Sequence, residues 1–185
     1  MKNQLIIVGE NTLKILEKKT WNSLKLQDVF KKTKNVKKET FKKITDKKDL
    51  LTAINSYIDD QLKQYSNNIE QSNEKDMFFE ILMTRFDILQ KYRRGILSIF
   101  HSFKRKPQEL LYLLPSFIDS MIFMAGLGKI SIYGIKGNIK IKGLLIVYFS
   151  SFLVWKNDNN QSLEKTMTSL NVYLDRADKL LKIFN

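Results

Sequence analysis

Residues 20–51 read TWNSLKLQDVFKKTKNVKKETFKKITDKKDLL and contain two short apolar-periodic pieces followed by the start of a longer one. The first piece carries Leu26, Val29 and Phe30, and the second runs from about Val36 to Lys43 with few apolar positions. Two short helices joined by a sharp turn, followed by a long helix that begins with lysine, form the layout of a helix-turn-helix. The stretch therefore predicts a small helical head in which nearly all side chains of the second helix lie at the surface.

Outward from this stretch, the rest of the chain also has a helical period. A first helix is predicted over residues 2–18, and Asp46, with Asp49 as its acidic partner three residues on, is predicted to cap a long helix that runs to Tyr65. Further helices are predicted over residues 77–92, 95–103, 110–127 (opened by Pro107), 139–156 and 162–184, the last capped by Asn159 or Asn160. The alternating segment Lys129–Ile135 is read as a loop because a lone hairpin has nothing to pair with. The predicted fold is all-α, with about nine helices.

Composition limits the chemistry that the chain can perform. A length of 185 residues corresponds to one domain, or to a small module fused to a larger one. The absence of cysteine excludes disulfides, thiolate catalysis and cysteine-ligated metals, and the single histidine, His101, argues against a histidine metal site or a Ser-His-Asp triad. We therefore expect a protein that is not an enzyme and that has no metal or cofactor.

Positive charge is the first functional indication. The chain carries 32 Lys and Arg against 19 Asp and Glu, a formal net charge of +13, which favours polyanionic partners such as nucleic acid or acidic lipid headgroups. Part of this excess is a compositional bias toward lysine. Residues 31–48 nevertheless hold nine lysines against Glu39 and Asp46, so more than half of the net charge lies in a tenth of the chain.

No targeting signal or membrane span is predicted. The longest uncharged apolar stretch, Leu144–Trp155, has 12 residues, whereas a spanning helix needs about 20. A cytoplasmic protein is expected.

The match of residues 20–51 to a family pattern extends to individual positions. Val29, Phe41, Ile44, Lys47 and Leu50 stand in register with the isoleucine, tyrosine, phenylalanine, lysine and leucine of the TetR family, which the chain resembles. The resemblance implies a helix-turn-helix DNA-binding module over residues 1–46 and a helical ligand-binding and dimerisation domain over residues 47–185. Double-stranded DNA is then the expected partner.

The candidate DNA contacts lie on the second short helix and at the start of the long one. Lysines at these positions are suited to contact phosphate groups, and the dipole of a helix N-terminus also attracts an anion. The alternative is that they are ordinary solvated lysines. Lysine reads guanine less well than arginine, and this stretch has no arginine, so sequence-independent affinity is expected. The candidates are Lys37, Lys38, Thr40, Phe41, Lys42, Lys43 and Lys47.

A set of aromatic and methionine positions is the candidate ligand site. Such stripes are commonly plain core, but in the TetR family the corresponding helices enclose a hydrophobic ligand, which implies a lipid or another hydrophobic small molecule here. The candidates are Phe79, Met83, Phe86, Tyr92, Phe117, Met121 and Tyr148.

The tracts at residues 77–96 and 154–181 resemble a TetR-like group related to the lipid-binding ubiquinone-biosynthesis family COQ9. This resemblance keeps open an alternative function, a lipid-binding accessory protein whose helix-turn-helix is degenerate. Consistent with that, Thr33 and Lys34 occupy the turn where the TetR family has a small residue and glycine. The apolar faces of the last two helices imply a homodimer in the manner of the family.

Overall fold

A computed structural model describes residues 2–34, 36–65, 72–104 and 107–183. Within these ranges the chain forms nine α-helices and one 3₁₀-helix and has no strand, so the predicted all-α fold is confirmed. The turn residue Asn35 and residue 184, at the end of the predicted last helix, lie outside the described residues. The α-helices are α1 Lys2–Leu16, α2 Leu26–Lys32, α3 Lys38–Lys42, α4 Lys47–Tyr65, α5 Glu74–Lys91, α6 Arg93–Phe103, α7 Leu114–Leu127, α8 Gly134–Trp155 and α9 Glu164–Ile183, and the 3₁₀-helix is Pro107–Leu113.

The chain divides into two compact units. The first, called here the N-terminal unit, combines Met1–Leu62 with Asp87–Ser116, and the second, the C-terminal unit, combines Lys63–Phe86 with Phe117–Asn185. Most of α4 thus belongs to the same compact unit as α1, α2 and α3. The predicted boundary after residue 46 divides the chain by function, into a DNA-binding module and a ligand-binding and dimerisation domain. This division stays a prediction.

In the N-terminal unit, α1 buries apolar side chains along its length. Val8, Leu13 and Leu16 are fully buried, together with the inward face of α4. Gly9 lets these two helices approach closely, because a side-chain methyl at this position would overlap the backbone carbonyl of Ala53. The approach explains why α1 tolerates a glycine in its interior, where glycine costs about 1 kcal/mol relative to alanine.

The start of α4 is capped as predicted. The Asp46 side chain accepts a hydrogen bond from the backbone amide of Lys48 at 2.8 Å, and the Asp49 carboxylate accepts one from the amide of Asp46 at 2.9 Å. Asp49 also accepts a hydrogen bond from the Tyr112 hydroxyl. Burial alone raises the pKa of Asp49, but these hydrogen bonds outweigh it and hold the pKa below its ordinary value.

In the C-terminal unit, α8 begins five residues before its predicted start. Gly134, which has φ 68°, opens the helix, and Gly137 lies so close to the Ile132 carbonyl that a side chain would overlap it. The loop predicted for Lys129–Ile135 therefore ends at Tyr133, because Gly134 and Ile135 already belong to the first turn of α8.

The connection from α8 to α9 is held by a buried carboxylate. Asp158 accepts hydrogen bonds from the amide and the hydroxyl of Thr166, in the first turn of α9, at 2.8 and 2.9 Å. Of the two predicted caps, Asn160 accepts with its side chain from the amide of Ser162, which lies before the helix. Capping by Asn159 stays a prediction. A carboxylate is favoured at the position of Asp158 because it meets the positive end of the helix dipole.

Candidate nucleic-acid interface

The lysines of residues 31–48 are mostly presented to solvent. Seven of the nine are exposed, on α2, in the turn after it, and on α3 with its two flanking residues. We call this group the lysine surface; its members are Lys31, Lys32, Lys34, Lys37, Lys38, Lys42 and Lys43. A surface of this charge, with apolar groups turned inward, is suited to docking on phosphates.

Helix α3 is fastened to α1 and α2 by its uncharged side chains. The Gln4 side-chain oxygen accepts hydrogen bonds from the Thr40 hydroxyl and from the backbone amide of Lys37. The rings of Phe41 and Phe30 lie 4.6 Å apart between centroids. Thr40 is buried and Phe41 is half-buried, so the structure places these two predicted DNA contacts where they hold α3 in position.

Lys47 and Lys48 are half-buried and do not belong to the lysine surface. The ammonium of Lys47 donates to the Trp21 backbone carbonyl and lies 4.9 Å from the centroid of the Trp21 ring. Burial lowers the pKa of Lys47. Lys48 lies over the ring of Tyr112 at 5.8 Å. Both cations thus make internal cation–π contacts, and a phosphate contact by Lys47, as predicted, would require it to leave Trp21.

The dimensions of α3 limit what it can read. Five helical residues span about 7.5 Å, less than the width of a DNA major groove, about 12 Å. Because Thr40 is turned inward, the exposed side chains of α3 are Lys38, Glu39 and Lys42. This helix presents charge for the phosphate backbone and few groups for base edges.

The predicted ligand residues do not form one set. Phe86, Met121 and Tyr148 are buried in the C-terminal unit, where Phe86 and Tyr148 stack at 5.7 Å between centroids. Phe79, Met83 and Phe117 belong to the same unit and are half-buried. Tyr92 belongs to the N-terminal unit, where its hydroxyl is 2.6 Å from that of Tyr57. Their observed role is core packing, and ligand contact by them stays a prediction.

Sequence reasoning missed a groove in the C-terminal unit. It has a volume of about 440 Å³ and is lined by residues of α5, α8 and α9, none of them among the predicted ligand residues. The available signal was Gly143, a glycine in the interior of a long helix, where no turn requires it.

Two helical segments of the described chain have the length and hydropathy of a membrane span. They are Pro107–Leu127 and Gly134–Trp155, and 28% of each apolar window is buried within the protein. Length and composition alone do not separate such segments from core helices, so the expectation of a cytoplasmic protein stays a prediction.

The chain matches no known protein family profile. It is similar to the "Early transcription factor 82 kDa subunit" of Variola virus (isolate Human/India/Ind3/1967), with 33% identity over 89 residues, and equally to the protein of that name from Variola virus. The match covers 46% of this chain and only 12% of either relative. Part of the chain is thus similar to a small part of a transcription factor subunit.

Proposed function

We propose that this protein is a dimeric, TetR-like transcriptional regulator that binds double-stranded DNA through the lysine surface. The observation that carries the proposal is the exposure of seven ammonium groups on two short helices and their turn, while Thr40 and Phe41 hold the second helix in place. The partial similarity to a transcription factor subunit agrees with it.

Phosphate contacts supply most of the affinity in this proposal. Each lysine that neutralises a DNA phosphate releases counterions and adds about 0.9 to the salt slope, so seven lysines set a limit of about 6 per head. Base discrimination is weak, because α3 is short and neither of its exposed cations is an arginine. Pairing of two heads in a homodimer then raises affinity for correctly spaced sites.

Exposed apolar side chains support the homodimer. Three apolar side chains are between 39% and 49% exposed: Leu153 on α8, and Met167 and Val172 on α9. Exposed apolar groups on two packed helices fit a two-fold interface, in which the same surface meets its own copy. A ligand that favours one arrangement of the paired bodies would change the separation of the heads and hence DNA affinity.

The proposal is tested by fluorescence anisotropy of a labelled random duplex titrated with protein at several salt concentrations. Wild type should show a steep negative slope of log K against log salt. The triple change of Lys37, Lys38 and Lys42 to glutamine should reduce the slope by about 2.7 for each bound head.

The matched control is the same triple change at Lys18, Lys129 and Lys165, which are exposed and lie outside the lysine surface. It removes the same charge and should leave most of the slope in place. A flat salt response of wild type, or equal losses in the two triple variants, would contradict the proposal.

A second candidate is a lipid-binding accessory protein whose lysine surface meets an anionic membrane. The observation that favours it is the groove in the C-terminal unit, which is predominantly apolar. Co-sedimentation with phosphatidylglycerol vesicles, combined with a flat DNA titration, would select this candidate.

A further inference from the structure

The groove between α5, α8 and α9 has an apolar floor and an exposed apolar rim. Phe78, Leu144, Val147 and Leu174 form the floor and are each less than a tenth exposed, whereas Ile146 on the rim is 67% exposed. A volume of about 440 Å³ falls within the range of small-molecule sites, about 300–1,000 Å³. All three helices belong to the C-terminal unit, so a single compact unit forms the whole site.

Gly143 indicates that the space is kept open. It lines the groove in the interior of α8, where a glycine weakens the helix relative to almost any other residue. A side chain added at Gly143 would meet no atom within 4 Å, so no packing neighbour requires the glycine. The missing side chain leaves a recess in the groove wall, and a bound ligand would occupy it.

The charged residues of the groove favour an anion. Lys140 and Lys75 pair with Glu74 and Asp175, with nitrogen–oxygen distances of 2.6 and 2.7 Å. Two further cations of the lining, Lys142 and Arg176, are exposed and have no hydrogen-bond or ion-pair partner among the described residues. The Asp178 carboxylate also lies on the lining, which leaves more positive than negative groups there.

We propose that this groove binds a fatty acid anion, a single unbranched alkyl chain that ends in one carboxylate. The alkyl chain lies on the apolar floor and fills the recess at Gly143. Arg176 donates to the carboxylate with its planar fork, and Lys142 adds a second positive charge. The site does not depend on whether the lysine surface binds DNA.

Charge favours this occupant over a second copy of the chain. In a two-fold contact the groove would meet its own copy, which carries the same excess of positive over negative groups. A single carboxylate supplies the opposite charge.

The proposal is tested by calorimetric titration with laurate, below the concentration at which laurate forms micelles. Wild type should bind one laurate saturably, and G143L, which fills the recess, should weaken binding by at least about tenfold. Leucine is the better helix former, so G143L should unfold at no lower temperature than wild type. The matched control is G126L, the same change at the glycine of α7, which also has open space around it but does not line the groove, and this variant should bind like wild type.

The carboxylate contact has its own test. The double change of Lys142 and Arg176 to glutamine should weaken laurate binding by about tenfold and leave the binding of dodecanol, which has the same chain and no charge, unchanged. K18Q, at an exposed lysine of the other unit, is the control for net charge. Wild-type binding of dodecanol as tight as that of laurate would overturn the assignment of an anion.

Three other results would overturn the proposal as a whole. These are no saturable laurate binding by wild type, equal binding by G143L and wild type, and a change of oligomeric state in G143L by sedimentation with laurate binding intact. The last result would assign the groove to a second copy. Loss of binding to neutral phosphatidylcholine vesicles in G143L, without any binding of free laurate, would assign it to a membrane surface instead.

Discussion

Replacing Asp158 with alanine should destabilise the C-terminal unit by about 3 kcal/mol. The carboxylate is almost fully buried and accepts from both the amide and the hydroxyl of Thr166, which is itself buried. A buried donor that loses its partner costs about 1–3 kcal/mol, and a helix cap contributes about 1 kcal/mol. Two such donors and one cap sum to about 3–7 kcal/mol. Because both donors belong to Thr166 and water can partly replace the carboxylate, the lower end of this range is expected.

The stabilisation by Asp158 should also depend on pH. Burial acts to raise the pKa of Asp158, but hydrogen bonds from Thr166 and from the Asn160 amide outweigh it and hold the pKa below its ordinary value of 3.8. A carboxyl whose pKa is lower in the folded state stabilises fully above its unfolded pKa and loses this contribution as pH falls through the folded pKa. The difference between wild type and D158A should therefore be constant at neutral pH and shrink below about pH 3.8.

Tryptophan fluorescence can assay this unit selectively. Trp155 is fully buried in the C-terminal unit and Trp21 belongs to the other, so urea unfolding in a Trp21→Phe background reports on Trp155. N160A is the comparison, because the Asn160 side chain accepts a single exposed hydrogen bond, and it should cost under about 0.5 kcal/mol. A larger loss in N160A than in D158A, or a D158A value within about 0.5 kcal/mol of wild type, would refute the reasoning.

Two further predictions concern the N-terminal unit. Gly9→Ala should lower the free energy of unfolding by more than about 2 kcal/mol, because the new methyl overlaps the Ala53 carbonyl and α1 must move away from α4. Urea unfolding measures this change, and a stabilised variant would contradict the close approach of the two helices. Lys47→Met should leave the Trp21 carbonyl without its donor and cost about 1 kcal/mol, while the DNA salt slope stays near that of wild type. Lys42→Met should reduce that slope by about 0.9 for each bound head, and equal slopes for the two variants would mean that Lys42 and Lys47 do not differ at the DNA surface.

Features that depend on neighbours within a few residues could be predicted from the sequence. The periodic apolar positions of α1 and α4 led to the correct helices, because a helix face repeats every three or four residues. The cap formed by Asp46 and Asp49 was predicted correctly, because both partners lie within one turn. The density of lysine over residues 31–48 is likewise a property of the chain itself, and the exposure of most of these side chains agrees with it.

Features that depend on distant segments were decided by the tertiary structure. The hydroxyl of Thr40, a predicted DNA contact, bonds to Gln4 because α1 packs beside α3, and the ammonium of Lys47, another, lies over the ring of Trp21. Asp158 reaches the amide of Thr166, eight residues further on, because the loop folds back on the start of α9. The groove that Gly143 lines exists only because α5 and α9 pack beside α8. A sequence pattern records which groups are present at a given spacing, but burial and contact arise from segments brought together by the fold, which local spacing does not encode.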